Sequence, residues 1–230
     1  MIPVALRQRE SGNPLNFNHE IERALSPERF ARYREWAAGD PQRALELYTL
    51  NTQLSEALYT PLQMLEVTLR NRIHSVMSEA RHDRWFEQND FLVIEIQRDQ
   101  LAKAVADIRG DGKEPTPGRI VAALTFSFWT SMLSPEYENL WQTTLHRIAC
   151  REDGKHLRRK DLSGPLAPIR VLRNRIAHHE PILHWNLPKH HESIMRIIAW
   201  LSPAAAEWCL HHNRFDSVHP HAQIVLHRQA

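Results

Sequence analysis

An all-α fold follows from three features of the chain. Helix-start signals recur along it, and apolar residues repeat at helical spacing. No run of alternating apolar and polar residues reaches a useful strand length. The first start is Ser26-Pro27-Glu28, which joins an N-cap residue, a first-turn proline and a first-turn acid. It predicts a helix to Ala38, stopped by Gly39. Asp40-Pro41 repeats the signal, and Leu45, Tyr48, Leu50, Leu54 and Leu58 follow close to a 3.6-residue period. Pro61 is expected to kink or restart that helix. Beyond it Leu62, Leu65, Leu69, Ile73 and Val76 form a strong apolar stripe.

Phe91 to Ile108 predicts the next helix, ended by Gly110, and residues 111–118 a polar Pro/Gly loop. Arg119 to Leu133 is nearly all apolar and is expected to be the most buried helix. Ser134-Pro135-Glu136 opens another, running to about Cys150, and Arg151 to Leu162 is expected to be a charged loop. Helices over Pro165 to His179 (closed by Pro181), Lys189 to Trp200 and Pro203 to His211 complete a set of roughly seven to nine. Residues 1–24 form an N-terminal arm in this scheme, 25–212 one helical domain, and 213–230 a polar, His-rich tail that frays.

Composition bounds the function without naming it. With 230 residues, 42% hydrophobic and 24% charged, the chain is an ordinary globular protein, not a disordered or fibrous one. A net charge of +2 leaves the partner open. Arg far outnumbers Lys, which occurs only at 103, 113, 155, 160 and 189, and Arg is the better bidentate phosphate ligand. Cys150 and Cys209 provide neither a disulfide framework nor zinc spacing, and are expected to be buried thiols in a reducing cytoplasm. The first ten residues do not look like a signal peptide, and no apolar run exceeds the five residues of Ile120 to Leu124, too few to cross a bilayer. A cytoplasmic protein with no membrane partner is expected.

The chemistry concentrates in the helix before Pro181. Leu166, Ile169, Leu172 and Ile176 face the core, and Arg170, Arg173, Asn174, Ala177 and His178 make an adjoining stripe. Asn174 and His178 are one turn apart. Arg173 lies about 140° round from His178, and its long side chain is expected to curl toward the same cleft. Such a trio suits RNA cleavage without a metal. A ribose 2′-hydroxyl attacks its neighbouring phosphate, histidine moves protons, and arginine holds the phosphate. Arg-x4-His alone is weak, since Arg151/His156 and Arg214/His219 repeat it in a loop and in the tail. The longer string Leu172-Arg173-Asn174-Arg175-Ile176-Ala177-His178-His179-Glu180-Pro181 is more specific. Leu69-Arg70-Asn71-Arg72-Ile73-His74 echoes part of it, too briefly to indicate a duplication.

That string resembles the signature of Abi-like abortive-infection proteins of the HEPN superfamily. Leu65-Glu66-Val67 before Leu69-Arg70-Asn71, Phe126-Ser127-Phe128-Trp129, Tyr137 with Leu140-Trp141, and Ile198-Ala199-Trp200 extend the resemblance over roughly residues 25 to 210. It implies an HEPN-type helical bundle with additional N-terminal helices, a homodimer, and a metal-independent endoribonuclease toxin without a cofactor. A protein or RNA antitoxin would restrain it. Arg173, Asn174 and His178 occupy the motif positions, with His179 a second candidate because the family spacing allows an extra residue. Glu66 is a support residue facing that helix, unless it pairs with Arg70 at i+4. Arg170 is a further support residue. Arg158, Arg159 and Lys160, with Arg175, are candidate RNA contacts. Two alternatives stand beside this: a non-catalytic RNA-binding or antitoxin-binding module, and a metal hydrolase using His178, His179, Glu180, His184, His190 and His191.

Overall fold

Asp40 starts the longest element. Its carboxylate accepts the backbone N–H groups of Gln42 (2.9 Å) and Arg43 (3.2 Å), directly before Pro41. In the computed structural model, which describes residues 14–88, 91–220 and 222–227, the resulting helix α3 (Pro41–Ala80) continues for 40 residues, about 60 Å at 1.5 Å per residue. Pro61 neither stops nor restarts it. Proline cannot donate to the carbonyl of Ala57, which in a free helix costs about 3 kcal/mol. Here Leu54, Leu58, Leu62 and Leu65 are buried on either side of it, so breaking the helix would break the core.

Other helices wrap this spine. α1 (Pro14–Leu25) and α2 (Pro27–Trp36) precede it, so residues 14–24 of the expected arm begin a helix; residues 1–13 lie outside those described. Ser26 caps α2 as expected, accepting Arg29 N–H at 3.4 Å, and α2 buries Phe30, Tyr33 and Trp36. The chain turns back through Ala38 (φ +52°) and Gly39 (φ +86°), the latter a backbone that glycine adopts without steric cost. α4 (Glu95–Gly110), α5 (Pro117–Ala123), α6 (Phe126–Ser131) and α7 (Glu138–Thr143) follow, then α8 (Arg159–Ala177), α9 (Leu187–Leu201), α10 (Pro203–His212) and α11 (Phe215–Val218). α2, α9, α10 and α11 pack along α3, while α8 packs against α3, α6 and α9. No strand occurs among the described residues, and the fold is all-α.

Several boundaries differ from expectation, each for a local reason. Arg119 to Leu133 is two helices, because Leu124 is extended and Thr125 caps the second by accepting Phe128 N–H at 3.4 Å. The segment from Ser134 to Cys150 is broken into short turns around α7. Cys150 is exposed rather than buried, whereas Cys209 is buried. α8 begins at Arg159, not Pro165, so both Pro165 and Pro168 lie inside it. Gly164, whose carbonyl Pro168 deprives of a helical donor, is exposed, and water can replace that bond. The start is moved by Arg159 itself. Its buried guanidinium bonds Glu138 and donates to the carbonyl of Leu133 at 2.6 Å. Residues 213–218 do not fray: Phe215 is buried and stacks on His191 at 4.4 Å.

Two packed histidines have hydrogen-bonding partners, and burial disfavours their charged forms. The indole N–H of Trp85 donates to His74 Nδ1 at 3.2 Å, and indole nitrogen can only donate. Asn213 accepts Phe215 N–H through Oδ1 at 2.8 Å, so its amide NH2 faces His191 Nε2 at 2.8 Å and donates to it. Burial lowers both imidazole pKa values below the ordinary 6.5, against the opposing pull of Asp83 and Asp216. The unfolded chain therefore binds more protons at these sites. Their stabilisation is complete above about pH 6.5 and is lost as pH falls through the depressed folded values. Thermal melts should show Tm falling as pH drops from about 6.5 toward 5, above the range where ordinary carboxylates protonate. His191→Gln should flatten part of that slope. A wild-type Tm constant across this window would contradict the assignment.

Candidate functional site

The C-terminal end of α8 is closed by a specific backbone turn. His178 caps the helix, and its N–H donates to Asn174 O at 2.9 Å. His179 N–H then donates to Ile176 O at 3.0 Å and Glu180 N–H to Arg175 O at 2.8 Å. This is a Schellman closure, with His179 at φ +57° in the left-handed position that glycine usually fills. Neighbours pin the turn from three sides. Arg175 donates to Pro181 O at 3.3 Å and pairs with Glu180 at 3.4 Å. Arg29 of α2 donates to His179 O at 3.3 Å. Asn51 of α3, itself buried, accepts Ile182 N–H at 2.7 Å.

The turn brings His179 to an open groove of about 1200 Å³ between α3, the end of α8 and α11. Arg173, Ile176 and Ala177 line its α8 wall, Tyr59, Glu66 and Arg70 its α3 wall, and Arg214 its α11 end. Arg173 is held in place: its Nε and Nη2 both reach Glu66 Oε2 at 3.2 Å. Glu66 thus supports the helix expected to carry the chemistry. Its alternative partner Arg70 has no carboxylate partner among the described residues, and donates only to Ala122 O at 3.5 Å. The Nε of Arg70 is buried without a hydrogen bond among the described residues.

The expected trio does not share that groove. Asn174 and His178 are exposed on the next face of α8, outside it. Arg173 is tied to Glu66 on the core side and does not curl toward them. The half-buried Arg170 is also outside the groove. Together with Lys160, Gly164, Ala167 and Val171, Asn174 and His178 make an exposed stripe at alternating 4- and 3-residue spacing.

The expected basic contact at residues 158–160 is largely neutralised. Arg159 points into the core and cannot reach a ligand. Arg158 is paired with Asp161 at 2.9 Å, and Asp153 pairs with Arg151 and Lys155. Those partners hold the carboxyls of Asp161 and Asp153 below the ordinary aspartate value, chiefly through hydrogen bonds from Arg158 and Arg151. Lys160 stays exposed. Arg175 serves the turn, as described above. Among the described residues no three His, Cys, Asp or Glu side chains form a group able to hold a metal ion. His184 packs near Trp36, His190 on Trp185 and His191 on Phe215. No helix among the described residues is long and apolar enough to cross a membrane.

Fold and site together define an all-α protein with an arginine- and histidine-lined groove. No protein-family model, curated protein or solved structure matches the chain. Tyr59 and Arg70 are groove residues to which the sequence reading assigned no site role; their signal was there in the spacing of Thr52, Glu56, Tyr59, Gln63, Glu66 and Arg70 along α3.

The left-handed turn makes a stability prediction. A side chain at φ +57° bears a Cβ clash that glycine avoids. His179→Gly should raise stability by about 1 kcal/mol, seen as a higher urea midpoint with unchanged slope. A lower midpoint would mean that imidazole contacts outweigh the backbone strain.

Proposed function

We infer that the protein is a metal-independent RNA-cutting enzyme of the abortive-infection, HEPN kind, working at the end of α8. One observation carries this: Arg173 and His179 line the same groove, each fixed from outside, Arg173 by Glu66 and His179 by the Schellman turn. In this reading Arg173 exchanges part of its contact with Glu66 for an RNA phosphate. An imidazole takes the 2′-hydroxyl proton, and the oxygen so freed attacks the adjacent phosphorus. The P–O bond to the next nucleotide breaks, leaving a cyclic phosphate and a 5′-hydroxyl protonated by a second acid. His179 shares the groove with Arg173 and so suits the first proton transfer. His178 lies on the exposed stripe of α8 with Asn174. Two copies meeting along that stripe would form the homodimer and bring the partner's His178 and Asn174 toward the phosphate. The toxin and phage-defence role, the cytoplasmic setting, and a protein or RNA antitoxin remain parts of the same proposal. An antitoxin would act by covering the groove.

A second reading, an RNA-binding module without cleavage, is favoured by one feature. His178 and Asn174 stand apart from Arg173 within one chain. Incubation with total cellular RNA in excess chelator separates the two. Wild-type protein should cut RNA to products ending in cyclic phosphate. Arg173→Ala and His179→Gly should each slow cutting at least about 100-fold, the usual scale for losing one acid–base group. His178→Ala should do the same if the site is composite. RNA left intact by wild-type protein, but bound by it, would select the binding module.

A further inference from the structure

The groove extends well beyond Arg173 and His179, and its α3 wall has a pattern of its own. Thr52, Glu56, Tyr59, Gln63, Glu66 and Arg70 all line it. They alternate by four and three residues, which keeps them within about 80° of one another on the helix. That is the spacing of a helix–helix seam, but these six side chains are polar or aromatic, and the aliphatic lining (Ala57, Leu62 and Val67 of α3, with Ile176 and Val218) lies beside them. A groove that sets guanidinium groups and an open ring beside apolar surface suits an extended ligand with both anionic groups and flat apolar faces.

Two members are poised for different parts of such a ligand. Tyr59 is 62% exposed, the aromatic ring most open to solvent among the described residues. It lies in the groove, whereas Trp85, Trp129 and Trp141 are fully buried. Arg70 is a cation in want of an anion. Glu66, its neighbour one turn earlier, is taken by Arg173, and the Nε of Arg70 is buried without a bond among the described residues. Eleven residues separate Tyr59 from Arg70, about 16 Å along α3. Arg214 adds a third guanidinium at the α11 end, and its pair with Glu56 is open to water and readily exchanged.

We propose that the α3 stripe is a track for single-stranded RNA, with an unpaired base stacked on Tyr59 and a backbone phosphate held by Arg70 beside Arg173. This rests on the RNA-cutting reading above and assigns its substrate class. The faces of paired bases are already occupied by their neighbours, so a duplex cannot offer one to Tyr59. Stacking is indifferent to base identity, so the track selects strandedness more than sequence.

The test uses the full chain in chelator and a short fluorescent 2′-O-methyl RNA, which 2′-hydroxyl attack cannot cut. Tyr59→Ala should weaken anisotropy-measured binding by about tenfold, and Tyr59→Phe should restore it. Trp208→Ala, at an exposed aromatic outside the groove, should leave affinity unchanged. Arg70→Gln should weaken binding and lower the salt slope by about one. A duplex of the same sequence should compete poorly. Unchanged affinity in Tyr59→Ala, or a duplex competing as well as the single strand, overturns the track. So does a change of oligomeric state in Tyr59→Ala and Arg70→Gln with RNA affinity intact, which would make the stripe a contact between copies. Cleavage is scored separately on ordinary RNA. Binding that depends on Tyr59 without any cutting would remove the nuclease and keep the track. Cutting that depends on Arg173 but not on Tyr59 would remove the track and keep the nuclease.

Discussion

Pro61 lies near the middle of a helix that the rest of the molecule needs unbroken. The leucines on either side of it are buried, and the elements packed on α3 before and after that point share one core. A break at Pro61 would recover no hydrogen bond and would separate Asn51 from Glu66. Those two residues lie fifteen apart, about 22 Å along α3. Asn51 holds the chain just after the α8 turn, and Glu66 holds Arg173 just before it. The unbroken helix is thus a ruler against which the end of α8 is set.

The pairing of Glu66 settles how charge is distributed in the groove. As an energy term the pair with Arg173 is modest, since Arg173 is 38% exposed and water screens it. Its larger effect is positional. It draws Arg173 to the α3 side of α8, away from Asn174 and His178, and it denies Arg70 a carboxylate. One ion pair therefore leaves a cation facing the groove and divides the α8 motif between two faces.

The two Arg-Asn-Arg strings show how the same residues divide their labour. In each, the first arginine lines the groove and the second donates to backbone carbonyls outside its own helix. Arg72 donates to the carbonyls of Ile148 and Arg147, and Arg175 to that of Pro181. Each asparagine between them is exposed. The repetition follows from helix geometry, since adjacent arginines two apart in sequence leave the helix in different directions. The strained backbone of His179 is of the same local kind. Its side chain sits in a left-handed backbone position that glycine adopts without steric cost.

Much of the fold was legible in the residues alone because its signals are local. Ser26 and Asp40 announce their helices through side-chain caps, and the leucine stripe of α3 declares its buried face by period. The Arg173–His179 segment stood out for the same reason. Local signals failed where a distant partner outbid them. Pro61 read as a kink or restart and Pro165 as a helix start, yet burial of flanking leucines carries α3 through the first, and the bonds of Arg159 to Glu138 and Leu133 start α8 before the second. Phe215 read as tail until His191 supplied a ring for it. The site divides along the same line. Spacing could place Arg173, Asn174 and His178 near one another on a helix. Only packing against α3 could turn Arg173 toward Glu66, and only the left-handed turn after Ala177 could bring His179, not His178, to the groove.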